Sequence, residues 1–278
     1  MKALVEKLPK SAVKLTVTVD NSKVKEAYKK ILSDKVKTTK VEGFRQGKAP
    51  NKMVEDKLGA SDLYGDVINE LLQTHYVQAV KEKGLLPISN PKITVGEFDL
   101  EKDFEFTAEI AIKPDVEIKE FRKDLKKLYL KKKKKDEKAR MMPNDVIDVI
   151  LENSKIEIAD VLAETETNRL ITQLAQQAKG IGLTMEQYLK AQDKTLEQLQ
   201  KEYEKVGVRN LKAEFALSYL IEKEKVEISE DEISKAIEAS GVSIVQAKTQ
   251  DPRERLYVKS ILQKNKYITN LMEETEKK

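Results

Sequence analysis

The hydrophobic period of the chain changes along its length, and that change restricts its possible folds more than any other feature. Val13, Leu15, Val17 and Val19 alternate with Lys14, Thr16, Thr18 and Asp20. Phe104, Phe106, Ala108, Ile110 and Ile112 alternate in the same way up to Pro114. Successive side chains of a strand face opposite sides, so each run predicts a strand with one buried face. Between the two runs the period is helical. Asn21 or Ser22 can cap a helix that carries Val24, Ala27, Tyr28, Ile31 and Leu32 to about Val36, after which Thr38 to Pro50 reads as a loop. Pro50 suits the first turn of a short helix that Gly59 ends, and Ser61 can cap a long helix running to Gly84. Leu85 to Val95 reads as extended chain broken by Pro87 and Pro91. The expectation for residues 1–113 is a β-α-α-α-β-β layer, an α+β domain built on an antiparallel sheet.

Beyond Met141 the pattern is helical only. Helices are expected over Asn144 to Ser154, Ala159 to Lys179 and Met185 to Ala191, and from the capping box Thr195-Leu-Glu-Gln198 onward. Ser229-Glu-Asp-Glu232 repeats the capping signal. Asp251-Pro252 opens a last helix on which Tyr257, Val258, Ile261, Leu262, Ile268, Leu271 and Met272 form one apolar face. Residues 141–278 therefore read as an all-α domain. The stretch 114–140, poor in apolar residues and holding the run Lys131 to Lys135, reads as a linker.

Composition narrows the chemistry. Charged residues make up 36% of the 278, aromatic residues 5%, and Trp is absent, the profile of a helix-rich protein with much solvated surface. The lack of Cys excludes disulfides, thiol catalysis and thiolate metal sites. His75 alone leaves no material for a His-based zinc site or for more than one member of a His-relayed triad, and no metal site is expected. No Gly-x-x-x-x-Gly-Lys-Ser/Thr sequence occurs, which agrees with a protein that needs no nucleotide. No apolar run is long enough to span a bilayer and the start has no apolar signal segment, so a cytoplasmic protein is expected. The net charge of +4 hides an asymmetry: +8 over residues 1–57, −5 over 58–113, +6 over 114–140 and −5 beyond. A basic end on a mildly acidic chain can meet a polyanion from one side.

The loop Gly43-Phe44-Arg45-Gln46-Gly47-Lys48-Ala49-Pro50 carries the sharpest functional signal. Two glycines permit tight turns, and between them stand an aromatic and an arginine, followed by a lysine. Phe44 could enter an apolar niche of a partner while Arg45 and Lys48 reach phosphates or carboxylates. Alternatively the loop is a plain turn whose Phe folds back onto its own sheet. Gly-Phe-Arg-x-Gly-Lys-x-Pro, following a strand and a helix, resembles the ribosome-docking signature of the bacterial trigger factor family. Gly59-Ala60-Ser61 with the helix after it, and the strand ending at Lys113-Pro114, are similar to the rest of that family's N-terminal domain. Val149 to Ile158, Gln173 to Gln177, Leu183 to Leu189 and Glu222 to Ile233 resemble its C-terminal helical domain.

The resemblance implies a ribosome-binding domain over 1–113 that docks through Gly43, Phe44, Arg45, Gln46, Gly47, Lys48 and Pro50, and a substrate-binding domain of arm-like helices over 141–278. It implies an ATP-independent chaperone without a cofactor. Its partners would be the large ribosomal subunit near the tunnel exit, protein and RNA, and unfolded nascent chains, with room for a weak homodimer. Gln46 departs from the basic residue often found there, which implies weaker docking. Family members ordinarily carry an FK506-binding-protein-like prolyl isomerase domain between the two parts. Residues 115–140 are too few for one, with a single Phe121 and a single Tyr129, so no enzyme activity of that kind is expected. Methionines 141, 142, 185 and 272 could be adaptable client contacts or core. His75 reads as a packed helix residue. Two other readings are a basic RNA- or anion-binding adaptor, and an isomerase whose site is not recognised.

Overall fold

The computed structural model describes residues 1–239 and 251–277. The chain divides into two compact units: Met1–Lys113 together with Ala159–Thr165, and Pro114–Ile158 together with Glu166 onward.

The first unit is a sheet covered by helices. Its elements run β1 (Lys2–Leu8), β2 (Ala12–Val19), α1 (Asn21–Thr38), α2 (Asn51–Leu58), α3 (Ala60–Glu82), β3 (Lys92–Val95) and β4 (Phe104–Ala111). The sheet is antiparallel with order β1-β2-β4-β3. The two alternating runs of the sequence are the central strands, paired Val13 with Ile110, Leu15 with Ala108, Val17 with Phe106 and Val19 with Phe104. Their common face packs on Val24, Ala27, Val67, Leu71 and Ala79 of α1 and α3. Strand β1 was not expected. It lies at the sheet's edge with mostly exposed residues, and its hairpin turns through Lys10 and Ser11 at positive φ rather than through glycine. The opposite face of the sheet carries Ala12 and Ala111, covered by Ala159 and Val161. Lys10 pairs with Asp160 at 2.7 Å and Lys92 with Glu164 at 2.7 Å on the same segment. The helix expected to be capped by Ser61 begins two residues earlier, with Gly59 at the cap position. Gly59, at φ +83°, ends α2 and precedes Ala60; the side chain of Ser61 lies outside the described residues.

The second unit is helical with one small sheet that the sequence did not announce. Strand β5 (Val116–Ile118) pairs antiparallel with β6 (Ser154–Ile156). The helices are α4 (Arg122–Lys135), α5 (Pro143–Glu152), α6 (Asp160–Gly180, from Glu166 on in this unit), α7 (Met185–Ala191), α8 (Leu196–Glu224), α9 (Glu230–Ala239) and α10 (Pro252–Lys277). Residues 114–140 thus differ from the expected linker. Phe121, Leu125 and Tyr129 recur every four residues and are buried, which gives α4 an apolar face despite its lysines. The cations concentrate in its last turn, beside the free carbonyls where positive charge is favourable. Lys132 also pairs with Asp145 of α5, and the Lys126 ammonium donates to the Thr275 carbonyl of α10 at 3.0 Å.

The capping box at Thr195 is present, with Gln198 N–H donating to Thr195 Oγ1 at 3.2 Å and Thr195 N–H donating to Gln198 Oε1 at 2.9 Å. Thr184 and Gln187 form a second box at α7. On α10 only part of the expected apolar face is covered. Ile268 and Leu271 are buried and Val258 and Leu262 pack against Ile228, Ile233 and Ile237, while Tyr257 and Ile261 are exposed. Met141 is core, Met142 is exposed, and Met185 and Met272 are half-buried.

Candidate functional site

The loop after α1 is two consecutive turns. Phe44 N–H donates to the Val41 carbonyl at 3.2 Å and Lys48 N–H donates to the Arg45 carbonyl at 2.9 Å. Gly43 (φ +81°) and Gly47 (φ +82°) each occupy the third position of its turn, where positive φ is needed and a side chain is strained. Phe44 and Arg45 therefore sit where the two turns join, at the tip.

Both ends of the loop are held. Val41 and the buried Ala49 pack with Leu32, Val54 and Leu63, a small core beneath the loop shared by α1, α2 and α3. Pro50 precedes α2, and its carbonyl accepts from Met53 N–H at 3.0 Å and Val54 N–H at 3.3 Å, so the proline stands at the cap rather than inside the first turn. The Lys57 ammonium donates to the Lys40 carbonyl, and the Tyr28 hydroxyl to Glu55 of α2. Burial, helped by the Glu55 charge, pushes the Tyr28 phenol well up, so it remains a donor at neutral pH. Lys30–Glu70 at 2.5 Å and Lys35–Asp66 at 2.6 Å tie α1 to α3 behind the loop.

The tip itself faces outward. Phe44 is 42% exposed, so it does not fold back into the sheet. Arg45 and Lys48 are exposed, and among the described residues no carboxylate pairs with either. Gln46 behaves differently: its Nε2–H donates to the Thr38 carbonyl at 3.1 Å, returning the side chain to the last turn of α1. Of the residues singled out from sequence, Phe44, Arg45 and Lys48 form the outward surface, Gly43, Gly47 and Pro50 set its backbone, and Gln46 braces it. Val41 and Ala49 were missed as supports. The signal available was their apolar character in an otherwise polar segment. An exposed aromatic with two unneutralised cations on the same braced loop can insert into an apolar niche while those cations pair with anions at its rim.

His75, the one imidazole, lies elsewhere in this unit, buried on α3 beside the α1 residues Lys23, Glu26 and Lys30. Among the described residues no group of three or more His, Cys, Asp or Glu side chains is arranged to hold a metal ion, and no helix is long and apolar enough to cross a membrane.

Comparison with known proteins places this arrangement. The family model described as bacterial trigger factor protein matches residues 1–149, and the model of the trigger factor C-terminus matches residues 117–274. The two matches overlap, leaving no intervening stretch. The trigger factor of Clostridium tetani is 36% identical over 157 residues, covering 56% of this chain and 36% of that protein. That of Anoxybacillus flavithermus is 37% identical over 122 residues, covering 44% and 28%. The chain thus spans about a third of the length of the curated relatives it matches. A solved chain from work on "Promiscuous Substrate Recognition in Folding and Assembly Activities of the Trigger Factor Chaperone" has the same fold, with a TM-score of 0.68 at 14% identity over 99% of this chain and 100% of that one. With both family models matched across more than half of its residues, the chain belongs to the bacterial trigger factor family.

Proposed function

We propose that this protein is an ATP-independent, ribosome-associated chaperone of the cytoplasm that binds nascent polypeptides at the tunnel exit and delays their misfolding. The observation that carries the reading is the braced loop with Phe44 exposed at its tip, followed by the exposed Arg45 and Lys48. It would anchor the first unit on ribosomal protein and RNA of the large subunit. The helical unit would hold clients weakly on scattered apolar side chains such as Leu256, Tyr257 and Ile261 of α10. Release follows when the client buries its own apolar surface. No catalytic step and no cofactor enters this reading. Residues 114–140 are spent on β5 and on α4 with its buried face, which supports a chain without an intervening isomerase domain.

The test is co-sedimentation with ribosomes of the intact chain and of the Phe44→Ala/Arg45→Ala/Lys48→Ala variant, at low and moderate salt. The intact chain is expected to pellet and the variant to stay in solution at both. Equal pelleting of the two, with release of both by salt, would overturn the anchoring role of the loop and favour generic binding of polyanions through lysines.

A further inference from the structure

The second unit carries a cleft of about 550 Å³ that the chaperone reading does not use. Its walls are Leu151 at the end of α5 and Lys201, Glu204, Lys205, Val208, Arg209 and Lys212 of α8. Steps of four, four and three residues put the four cations on one stripe of α8, because side chains three and four apart share a helix face. Two of them are already engaged: Lys201 pairs with Glu197 at 2.8 Å and Arg209 with Asp148 at 2.6 Å. Lys205 and Lys212 have no ion-pair partner among the described residues, and Glu204 is the one carboxylate in the lining. Half-buried Leu151 and Val208 lie between the charges. This basic stripe stands out against residues 141–278, whose net charge is −5.

We infer that this cleft is a docking groove for acidic amphipathic helical segments of client polypeptides, a substrate class within the chaperone reading on which the inference rests. Charge complementarity selects the occupant. The two unpaired cations, Lys205 and Lys212, stand seven residues and so about 10.5 Å apart at 1.5 Å per residue, which matches carboxylates two turns apart on a helix. Carboxylates on one face of a strand stand roughly 6.8 or 13.6 Å apart, so either choice misses that spacing by about 3 Å or more. An aliphatic side chain of the client then covers Leu151 and Val208, in the manner of a helix laid in a groove. A nucleic acid fits less well. The lining offers no aromatic platform for a base, and a phosphate backbone gains nothing from an aliphatic floor.

The experiment uses the full chain and two fluorescent 18-residue peptides, one with Glu at i, i+4 and i+7 around leucines and one with Lys at the same positions. The Glu peptide is expected to bind at least about tenfold more tightly at low salt. Lys205→Glu/Lys212→Glu is expected to weaken it by about tenfold or more and Lys205→Gln/Lys212→Gln by about threefold, with circular dichroism and urea midpoints unchanged. Equal binding of the two peptides would overturn the inference, as would indifference to both double variants. So would displacement of the Glu peptide by a single-stranded oligonucleotide at lower concentration, or a dimer of this chain that the charge reversal dissolves. Suppression of the aggregation of a chemically unfolded protein is followed in the same samples. Its absence in the intact chain would overturn the chaperone reading itself, whereas its presence without preference for the Glu peptide overturns this inference alone.

Discussion

Phe44 and Gln46 stand two positions apart in one loop and do opposite things: one side chain leaves the molecule, the other returns to the end of α1. Turn geometry decides this, because the junction of the two turns projects Phe44 and Arg45 while the glycine of the second turn brings the backbone near Lys37. A basic side chain at position 46 would add a charge to the loop, whereas the neutral Gln46 spends its amide N–H on the Thr38 carbonyl. His75 belongs to the same scale. Burial foremost, then the ammonium of Met1, hold its imidazole below the ordinary value, with a hydrogen bond to Gln78 opposing, Lys23 adding to the depression and Asp20 opposing it. Its Nδ1 is buried without a hydrogen-bond partner. The neutral form is therefore favoured in the folded chain, and the unfolded chain takes up the proton first as pH falls through about 6.5. Stability contributed by the neutral imidazole is complete above that value and is lost progressively below it, down to the folded-state pKa. Urea midpoints at pH 7.5 and 5.5 are expected to fall for the intact chain and to fall less for His75→Gln. Parallel falls would show that His75 does not carry the effect.

Among the elements, α4 tests the physical argument most directly, since its sequence is dominated by lysine and its stability comes from three buried side chains. Leu125 is fully buried, and Leu125→Ala is expected to cost about 2–5 kcal/mol in urea unfolding, the range for removing such a side chain from a packed core. A solvated linker would lose nothing measurable. This element was misread because five successive lysines dominate a local composition count, whereas Phe121, Leu125 and Tyr129 form a stripe visible only at a four-residue spacing. Lysine ammonium groups also lie over the Tyr129 ring at 5.4 and 5.5 Å, so part of the run covers the aromatic instead of repelling it away. The elements legible from sequence have period and punctuation together: β2 and β4 by alternation, α8 by the box at Thr195, α10 by Asp251-Pro252. Strand β1 has neither a clean alternation nor a glycine turn, and its pairing with β2 supplies what its own residues do not announce. The candidate loop was legible as a motif, because its glycines and proline dictate turns. The return of Gln46 to Thr38 was not, since loops have no period from which a side chain's direction can be read.

At the scale of the molecule, the first unit is not a contiguous stretch of sequence. It is built from residues 1–113 and completed by 159–165, whose Ala159 and Val161 cover Ala12 and Ala111 on the back of the sheet. A fragment ending at Lys113 is expected to be less stable in urea than one ending at Gly180, by about 2 kcal/mol, the scale of burying one Val and neighbouring alanines. The two exposed ion pairs of the segment add little to that figure. Equal midpoints would show that the back of the sheet needs no cover. The same arrangement gives the protein's own biosynthesis a schedule. Translation delivers all four strands of the larger sheet well before Ala159, and at about 5–20 residues per second the roughly fifty residues in between take several seconds. For that interval the newborn chain holds a nearly finished sheet with one side uncovered. It is itself, for those seconds, a polypeptide in need of shelter.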